Sequence, residues 1–187
     1  MTLANIMKLA LGQLDEAPED IAEYEELFRS YANMGYMIAI RLFYKPRETF
    51  VLTTDGKGSA AFGALPIRRV VGVKNAQGET VYFQLAADGL AIETNEKEKA
   101  LYVLCEVERE ALQKATDEPQ LPDFAHAALA DYICYRHLSG GSLVKQQRAQ
   151  FFLKRFWENA RRIRPQGMGS AVRLTGLYTE TDVRREA

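Results

Sequence analysis

The chain has two histidines, His126 and His137, in one helical-period stretch. Eleven residues apart, they miss the i, i+4 spacing by which a helix offers two imidazoles to one metal ion. Each reads as a surface residue or a hydrogen-bonded core residue. Asp131 could be drawn as a dyad with His126 or Tyr135, but helices generate such pairs routinely. Cys105 and Cys134 stand far apart without histidine partners. They read as buried small apolar side chains rather than a disulfide or metal pair, which fits a reducing, cytoplasmic setting. Gly56, Gly58 and Gly63 follow a strand-like segment, but a phosphate loop needs Gly-Lys-Ser/Thr running straight into a helix. There is no Gly-x-Ser-x-Gly elbow and no Cys-x-x-Cys. The carboxylates from Asp15 to Glu26 read as the solvated acidic start of a helix. These residues predict no enzyme, no metal and no cofactor.

Charge is the second source of chemistry. Arg161-Arg162-x-Arg164 ends a helix that also carries Phe151, Phe152, Phe156 and Trp157. The helix macrodipole favours cations at that end by itself. A net charge of −1 argues against a sequence-specific DNA reader, while passive lining of a DNA channel stays open. Asp15, Glu16, Glu19, Asp20, Glu23, Glu25 and Glu26 make the N-terminal region acidic, and the last helix is basic. Either these are two solvated helix faces, or they are complementary surfaces within one subunit or between neighbouring copies.

The elements that position these groups centre on residues 121–164. Leu121-Pro122-Asp123 places a proline and an acid where a first helical turn accepts both. Phe124, Ala128, Leu129, Tyr132, Ile133 and Tyr135 then recur at spacings of three and four. Ser139-Gly140-Gly141-Ser142 ends that helix, and the Ser142 hydroxyl can cap the next. The second helix carries Leu143, Ala149, Phe152, Phe156, Ala160 and Ile163 on one side. Arg148, Lys154, Arg155, Arg161 and Arg162 occupy the rest, and Pro165 and Gly167 stop it. So short a turn predicts an antiparallel hairpin.

Upstream, residues 3–14 read as a short helix capped by Thr2, with Ile6, Leu9 and Met7 or Leu14 buried. Pro18 opens a longer helix whose stripe runs Ile21, Tyr24, Phe28, Tyr31, Gly35, Ile38, Leu42, and Lys45-Pro46 ends it. Gly35 within the stripe predicts close approach of another helix. The period then becomes strand-like: Thr49–Thr54, Ile67–Val73, Thr80–Leu85, a short Leu90–Ile92, and Leu101–Val107, joined by turns at Asp55–Gly58, Asn75–Gly78 and Asp88-Gly89. Ser59–Gly63 carries no clear pattern, and 109–120 reads as a polar return connection.

A chain of 187 residues, 47% hydrophobic and 26% charged, is sufficient for one folded domain with a real core. No apolar run approaches the ~20 residues of a membrane span, and Met1–Asn5 has no basic-then-apolar pattern of a secretory leader. The predicted fold class is α+β. Residues 1–45 and 121–165 form an antiparallel helical bundle, 46–120 a small antiparallel β insertion, and 166–187 an extended C-terminal arm. The arm has a short apolar run through Val172, Leu174, Leu177 and Tyr178, a pattern ordered only by a partner, if at all.

Leu121-Pro122-Asp123-Phe124-Ala125-His126-Ala127-Ala128-Leu129-Ala130-Asp131-Tyr132 resembles the leucine-proline start and Ala-Leu-x-x-Tyr helix of head-to-tail adaptor proteins of tailed bacteriophages. Tyr135-Arg136-His137-Leu138-Ser139, then Arg148-Ala149-x-x-Phe152 and Phe156, continue the likeness. The acidic N-terminal helix and the β insertion are similar in kind to the family's larger members. The resemblance implies a structural virion protein at the head–tail junction, assembled in the host cytoplasm. It would form a ring, typically of twelve copies, under the portal protein, extending the DNA channel and contacting a downstream tail or stopper protein. DNA would be contacted non-specifically at most, and no membrane is involved. On this reading Leu174, Leu177 and Tyr178 dock the arm into the portal. Arg155, Arg161, Arg162, Arg164, Glu19 and Glu23 form charged subunit or channel surfaces. The rival readings are a generic interaction or scaffold domain, and a small-ligand-binding domain with a deep polar pocket between bundle and sheet.

Overall fold

A computed structural model describes residues 1–17 and 21–165. Its axis is α3 (Asp123–Leu138). Pro122 stands at its N-cap, and Asp123 places an acid in the first turn. Ala125, Ala128, Leu129, Ala130, Ile133 and Cys134 are all buried, on every side of the helix. A helix apolar all round must be surrounded. Here α1 (Leu3–Leu14), α2 (Ile21–Ala39) and α4 (Leu143–Ala160) surround it. The fold is thus α+β, a helical bundle from the two ends of the chain carrying two small antiparallel sheets.

α1 is capped as expected, the Asn5 N–H donating to Thr2 Oγ1 at 3.3 Å. It buries Leu3, Ile6, Met7, Ala10, Leu11 and Leu14, whereas Leu9 is half-buried. α2 approaches α3 through small residues. A Cβ on Gly35 would lie 2.9 Å from Tyr132 Cγ, so only glycine permits the two helices to come this close.

The buried line of α2 is Phe28, Ala32, Gly35, Tyr36 and Ala39. Of the expected stripe, Phe28 and Gly35 are buried, Ile21, Tyr24, Tyr31 and Ile38 are half-buried against the core, and only Leu42, 56% exposed, leaves it. After Ala39 the chain widens into a π turn, Ile40–Tyr44, closed by the Lys45 N–H on the Ile40 carbonyl at 2.8 Å. The wider turn rotates Leu42 off the buried side. Three further expectations fail at helix ends. Phe124 and Leu143 are exposed because each lies in a first turn that overhangs the core. The Ser142 hydroxyl makes no capping bond; its carbonyl instead accepts the Gln146 N–H at 2.9 Å.

The β region is a sandwich of two three-stranded sheets. β1 (Arg47–Thr53), β6 (Ala100–Val107) and β3 (Ile67–Lys74) form one, in the order β1-β6-β3. β2 (Ser59–Ala61), β5 (Ala91–Thr94) and β4 (Phe83–Leu85) form the other, in the order β2-β5-β4. Leu52, Val70, Val73, Leu101, Val103 and Cys105 from the first meet Ala60, Phe62 and Ile92 from the second in a core separate from the bundle's. The expected third strand, Thr80–Leu85, is divided. Thr80 bridges Lys74 and Val81 N–H donates to Val73, while Phe83–Leu85 crosses to the other sheet. The alternating pattern is the same either side of the break, so periodicity alone could not reveal it. Ser59–Ala61 becomes an edge strand.

Residues 108–121 do more than return the chain. Their carbonyls at Asp117 and Ala115 accept the first-turn N–H groups of Leu3 and Ala4 at 2.8 and 2.9 Å. Those donors have no partner inside a helix. Asn33 clamps Leu112 from both sides, donating to its carbonyl at 2.9 Å and accepting its N–H at 2.7 Å. Leu112 and Leu121 enter the bundle core.

Candidate interaction surfaces

The charged residues fall into interior pairs and free surfaces, and sequence alone did not separate them. Asp131 is fully buried where α1, α3 and α4 meet, and Arg155 Nη2 reaches its Oδ1 at 3.1 Å. Neither carboxylate oxygen completes an aligned hydrogen bond. Burial pushes its pKa up to about 6, against the downward pull of Arg155 and the neighbouring Gln13 amide. Arg155 is thus tied to a buried acid while its side chain stays 39% exposed. The signal was Asp131 itself, an acid within the alanine- and leucine-rich run of α3.

Other polar groups around this pair find partners nearby. Cys134 Sγ lies 3.5 Å from the Ala10 carbonyl, and desolvation pushes its thiol up to about 12. Cys105, in the sandwich core, is pushed up to about 11 by burial. Both are free and buried, as expected of small apolar side chains. Arg148 donates to the Gln13 carbonyl at 2.6 Å and pairs with Asp15 at 2.9 Å. It thereby seals the carbonyl end of α1, where a cation is favoured. His126 is buried, with Nε2 3.0 Å from both the Pro119 and Leu121 carbonyls. His137 lies edge-on to the rings of Tyr24 and Phe28, and desolvation lowers its pKa. No acid–base dyad of Asp131 with His126 or Tyr135 forms; Arg155 holds that position.

Ion pairs cluster at one end of the first sheet, and one of them, Arg41–Glu108, reaches the π turn of the bundle. Glu106, buried at the end of β6, takes Arg68 at 2.7 Å and Arg47 at 3.8 Å. Arg41 pairs with Glu108 at 3.3 Å and Arg109 with Glu48 at 2.8 Å. Beside them lies a groove of about 520 Å³ lined by Tyr36, Pro66, Glu108, Arg109, Leu112 and Gln120, with Glu108 and Arg109 held in these pairs. A second polar groove, about 730 Å³, runs over the sandwich between Asp55, Tyr82, Glu93 and Asn95. Among the described residues no group of three or more His, Cys, Asp or Glu side chains could hold a metal ion. No helix among them is long and apolar enough to cross a membrane.

The free surfaces lie on α2 and α4. Glu23 and Glu26 are exposed in the opening turns of α2 and make no ion pair among the described residues. Leu27 and Met34, each 43% exposed, continue the same face. On α4, Leu143 (71% exposed), Val144 (73%) and Phe151 (56%) stand out on the side opposite Ala149, Phe152, Phe156 and Ala160. Arg161 and Arg164 are exposed at its C-terminal end, and Arg162 sits 5.5 Å over the Phe124 ring. Arg161, Arg162, Arg164 and Glu23 are exposed. Glu19, Leu174, Leu177 and Tyr178 lie outside the described residues. The helical period places Leu143 on the core side and Phe151 within an aromatic run, so the sequence does not reveal the apolar surface of α4.

α2 and α4 both pack on α3. No protein-family model matches the chain, and no curated protein matches it.

Proposed function

We propose that the protein is a structural virion component, a head-to-tail adaptor that assembles as a ring under a phage portal and extends its DNA channel. The observation that carries this reading is the pair of exposed helix faces. One is acidic and apolar on α2, the other basic and apolar on α4. Two unlike faces on one subunit make heterologous contacts, the kind that close into rings. Exposed apolar side chains on the sandwich, among them Val51, Tyr82 and Tyr102, offer further contact area to a tail component. The likeness of 121–157 to phage adaptors supports the same assignment. Basic residues at the end of α4 suit non-specific contact with passing DNA.

The test is mass and shape in solution, alone and with a portal ring, by light scattering and negative-stain imaging. A ring of about a dozen copies on the portal is the expected result. A species that stays monomeric or dimeric and ignores the portal would reduce the protein to a generic interaction domain. Serine at Leu174, Leu177 and Tyr178 together should abolish portal attachment while leaving the circular dichroism spectrum unchanged. Unchanged attachment would remove the docking role of the arm.

A further inference from the structure

We infer that the outer face of the β2-β5-β4 sheet is a binding site for an uncharged oligosaccharide. The site is complete within one subunit, so it does not depend on the ring reading above.

Strand register builds the site. Ser59 pairs with Glu93, and Glu93 with Gln84, so three polar side chains stand in one row across the three strands. Neighbouring strands lie about 4.8 Å apart, which makes the row ~10 Å wide. Ala60, Ile92 and Phe83, one position away on each strand, pack in the sandwich core. By the alternation of a strand, the row itself therefore points outward. Two positions along from Glu93 and Gln84, Asn95 and Tyr82 line the same groove of about 730 Å³, and Lys57 lines it from the β2 side. On the other side of the row Ala61 pairs with Ala91, whose carbonyl accepts the Ala86 N–H at 3.0 Å. Nothing larger than a methyl group rises from these three alanines, so a ligand can run on past the polar row.

The side chains of Tyr82, Gln84, Glu93 and Asn95 make no hydrogen bond, ion pair or ring contact among the described residues. Tyr82 is 81% exposed, the most of any large apolar side chain described, so the face of its ring is open to a ligand. The Glu93 carboxylate only accepts hydrogen bonds, whereas the two amides and the Ser59 hydroxyl both donate and accept. A sugar matches this set. Its hydroxyls each donate and accept, adjacent pairs of them suit a carboxylate or an amide, and its C–H face packs on an aromatic ring.

Charge narrows the class. Asp55 and Glu93 outnumber Lys57 in the groove. Asp55 is held ionised because its carboxylate accepts the Lys57 and Ser59 N–H groups, each at 2.8 Å. A groove with excess negative charge disfavours nucleic acid and acidic sugars. An extended peptide gains its main-chain hydrogen bonds at a sheet edge, but this groove lies over β5, which is paired on both sides. An uncharged sugar chain fits the donors, the ring and the charge together.

The test is saturation-transfer NMR on the full chain. The probes are uncharged hexasaccharides of glucose, galactose, mannose and N-acetylglucosamine, with a heparin hexasaccharide, an oligothymidylate and a neutral Asn-Ser-Gly hexapeptide for comparison. The expected result is saturable transfer to the ring C–H protons of at least one uncharged sugar. Tyr82→Ala should weaken that binding about tenfold, and Glu93→Ala by a similar factor, with the circular dichroism spectrum unchanged. Tyr102→Ala, on the other sheet, should leave it unaltered. No transfer to any uncharged sugar would overturn the inference, and so would binding that survives both Tyr82→Ala and Glu93→Ala. Tighter binding of heparin or oligothymidylate would refute the charge selection and the assignment with it. Tightest binding of the peptide would make the face a protein contact and likewise overturn the inference.

Discussion

Replacing Asp131 with asparagine should stabilise the protein above neutral pH, although it breaks an ion pair with Arg155. The carboxylate is fully buried, and its pKa stands near 6 in the folded state against an ordinary 3.8. The native protein therefore binds this proton more tightly than the unfolded chain does. Stability from this group falls as pH rises from about 4 to 6 and is level above that. A shift of about two units corresponds to roughly 3 kcal/mol lost at pH 8. Burial outweighs the Arg155 attraction because the guanidinium is 39% exposed and screened by water, while the carboxylate has no aligned hydrogen bond. The Asp131→Asn amide would keep the shape without the charge, so up to ~3 kcal/mol returns, or a Tm rise of roughly 6–10 °C in a chain of this size. The assay is denaturant unfolding of parent and Asp131→Asn from pH 4 to 8. Asp55 and Asp117, whose carboxylates accept backbone N–H bonds and are held below the usual range, bend the parent curve the other way at low pH. The readout is therefore the difference between the two proteins. That difference should grow from near zero at pH 4 to its full value above pH 6. A variant less stable than the parent at pH 8, with no pH-dependent difference, would show that the ion pair outweighs desolvation and refute the reasoning. Arg155→Met supplies the converse: it should destabilise most at pH 8, because the buried charge is left uncompensated.

Gly35→Ala should gain about 1 kcal/mol of helix propensity and lose more to crowding. The new Cβ meets Tyr132 at its Cβ and Cγ, atoms too near the backbone to swing aside; a net loss of about 1–2 kcal/mol by urea unfolding is expected. Gly58→Ala should cost about 3 kcal/mol or more, since it combines a φ of +87° with a Cβ 2.2 Å from the Thr94 carbonyl. Gly78→Ala, at φ +83° in open space, should cost only about 1 kcal/mol, and equal losses at the two sites would contradict the steric account. Glu106→Gln should cost about 3 kcal/mol and lower the urea midpoint, because Arg68 and Arg47 lose the carboxylate on which both converge.

Much of the architecture was legible because it depends on local rules. The Thr2 cap, the proline before Asp123, the Gly-Gly turn and the switch from a period near 3.6 to one near 2 are short-range signals. Gly35 announced a close helix approach, and it occurs. Which side of an amphipathic helix is covered was harder to read. On α2 the expected stripe includes Tyr31, Ile38 and Leu42 beside Gly35, but Tyr31 and Ile38 are only half-buried, Leu42 is exposed, and the small Ala32 and Ala39 are fully covered with Gly35. Close packing selects small residues at the line of contact, so hydrophobicity marks the broad face and size marks the contact line. The division of Thr80–Leu85 between two sheets was likewise invisible, because both halves keep the same alternation.

Residue order alone was enough for the α+β class, the antiparallel hairpin at 123–160, the strand-rich insertion and the buried, unpaired cysteines. Each follows from periodicity, turn chemistry or composition acting over a few residues. Which charges are free depended on the fold. Arg155 and Arg161 lie six positions apart on one basic stretch and are alike in sequence terms. One turns inward to Asp131, and the other faces solvent. That difference is set by where α3 places an acid across the helix interface, a distance of twenty-four residues along the chain and 3.1 Å in space.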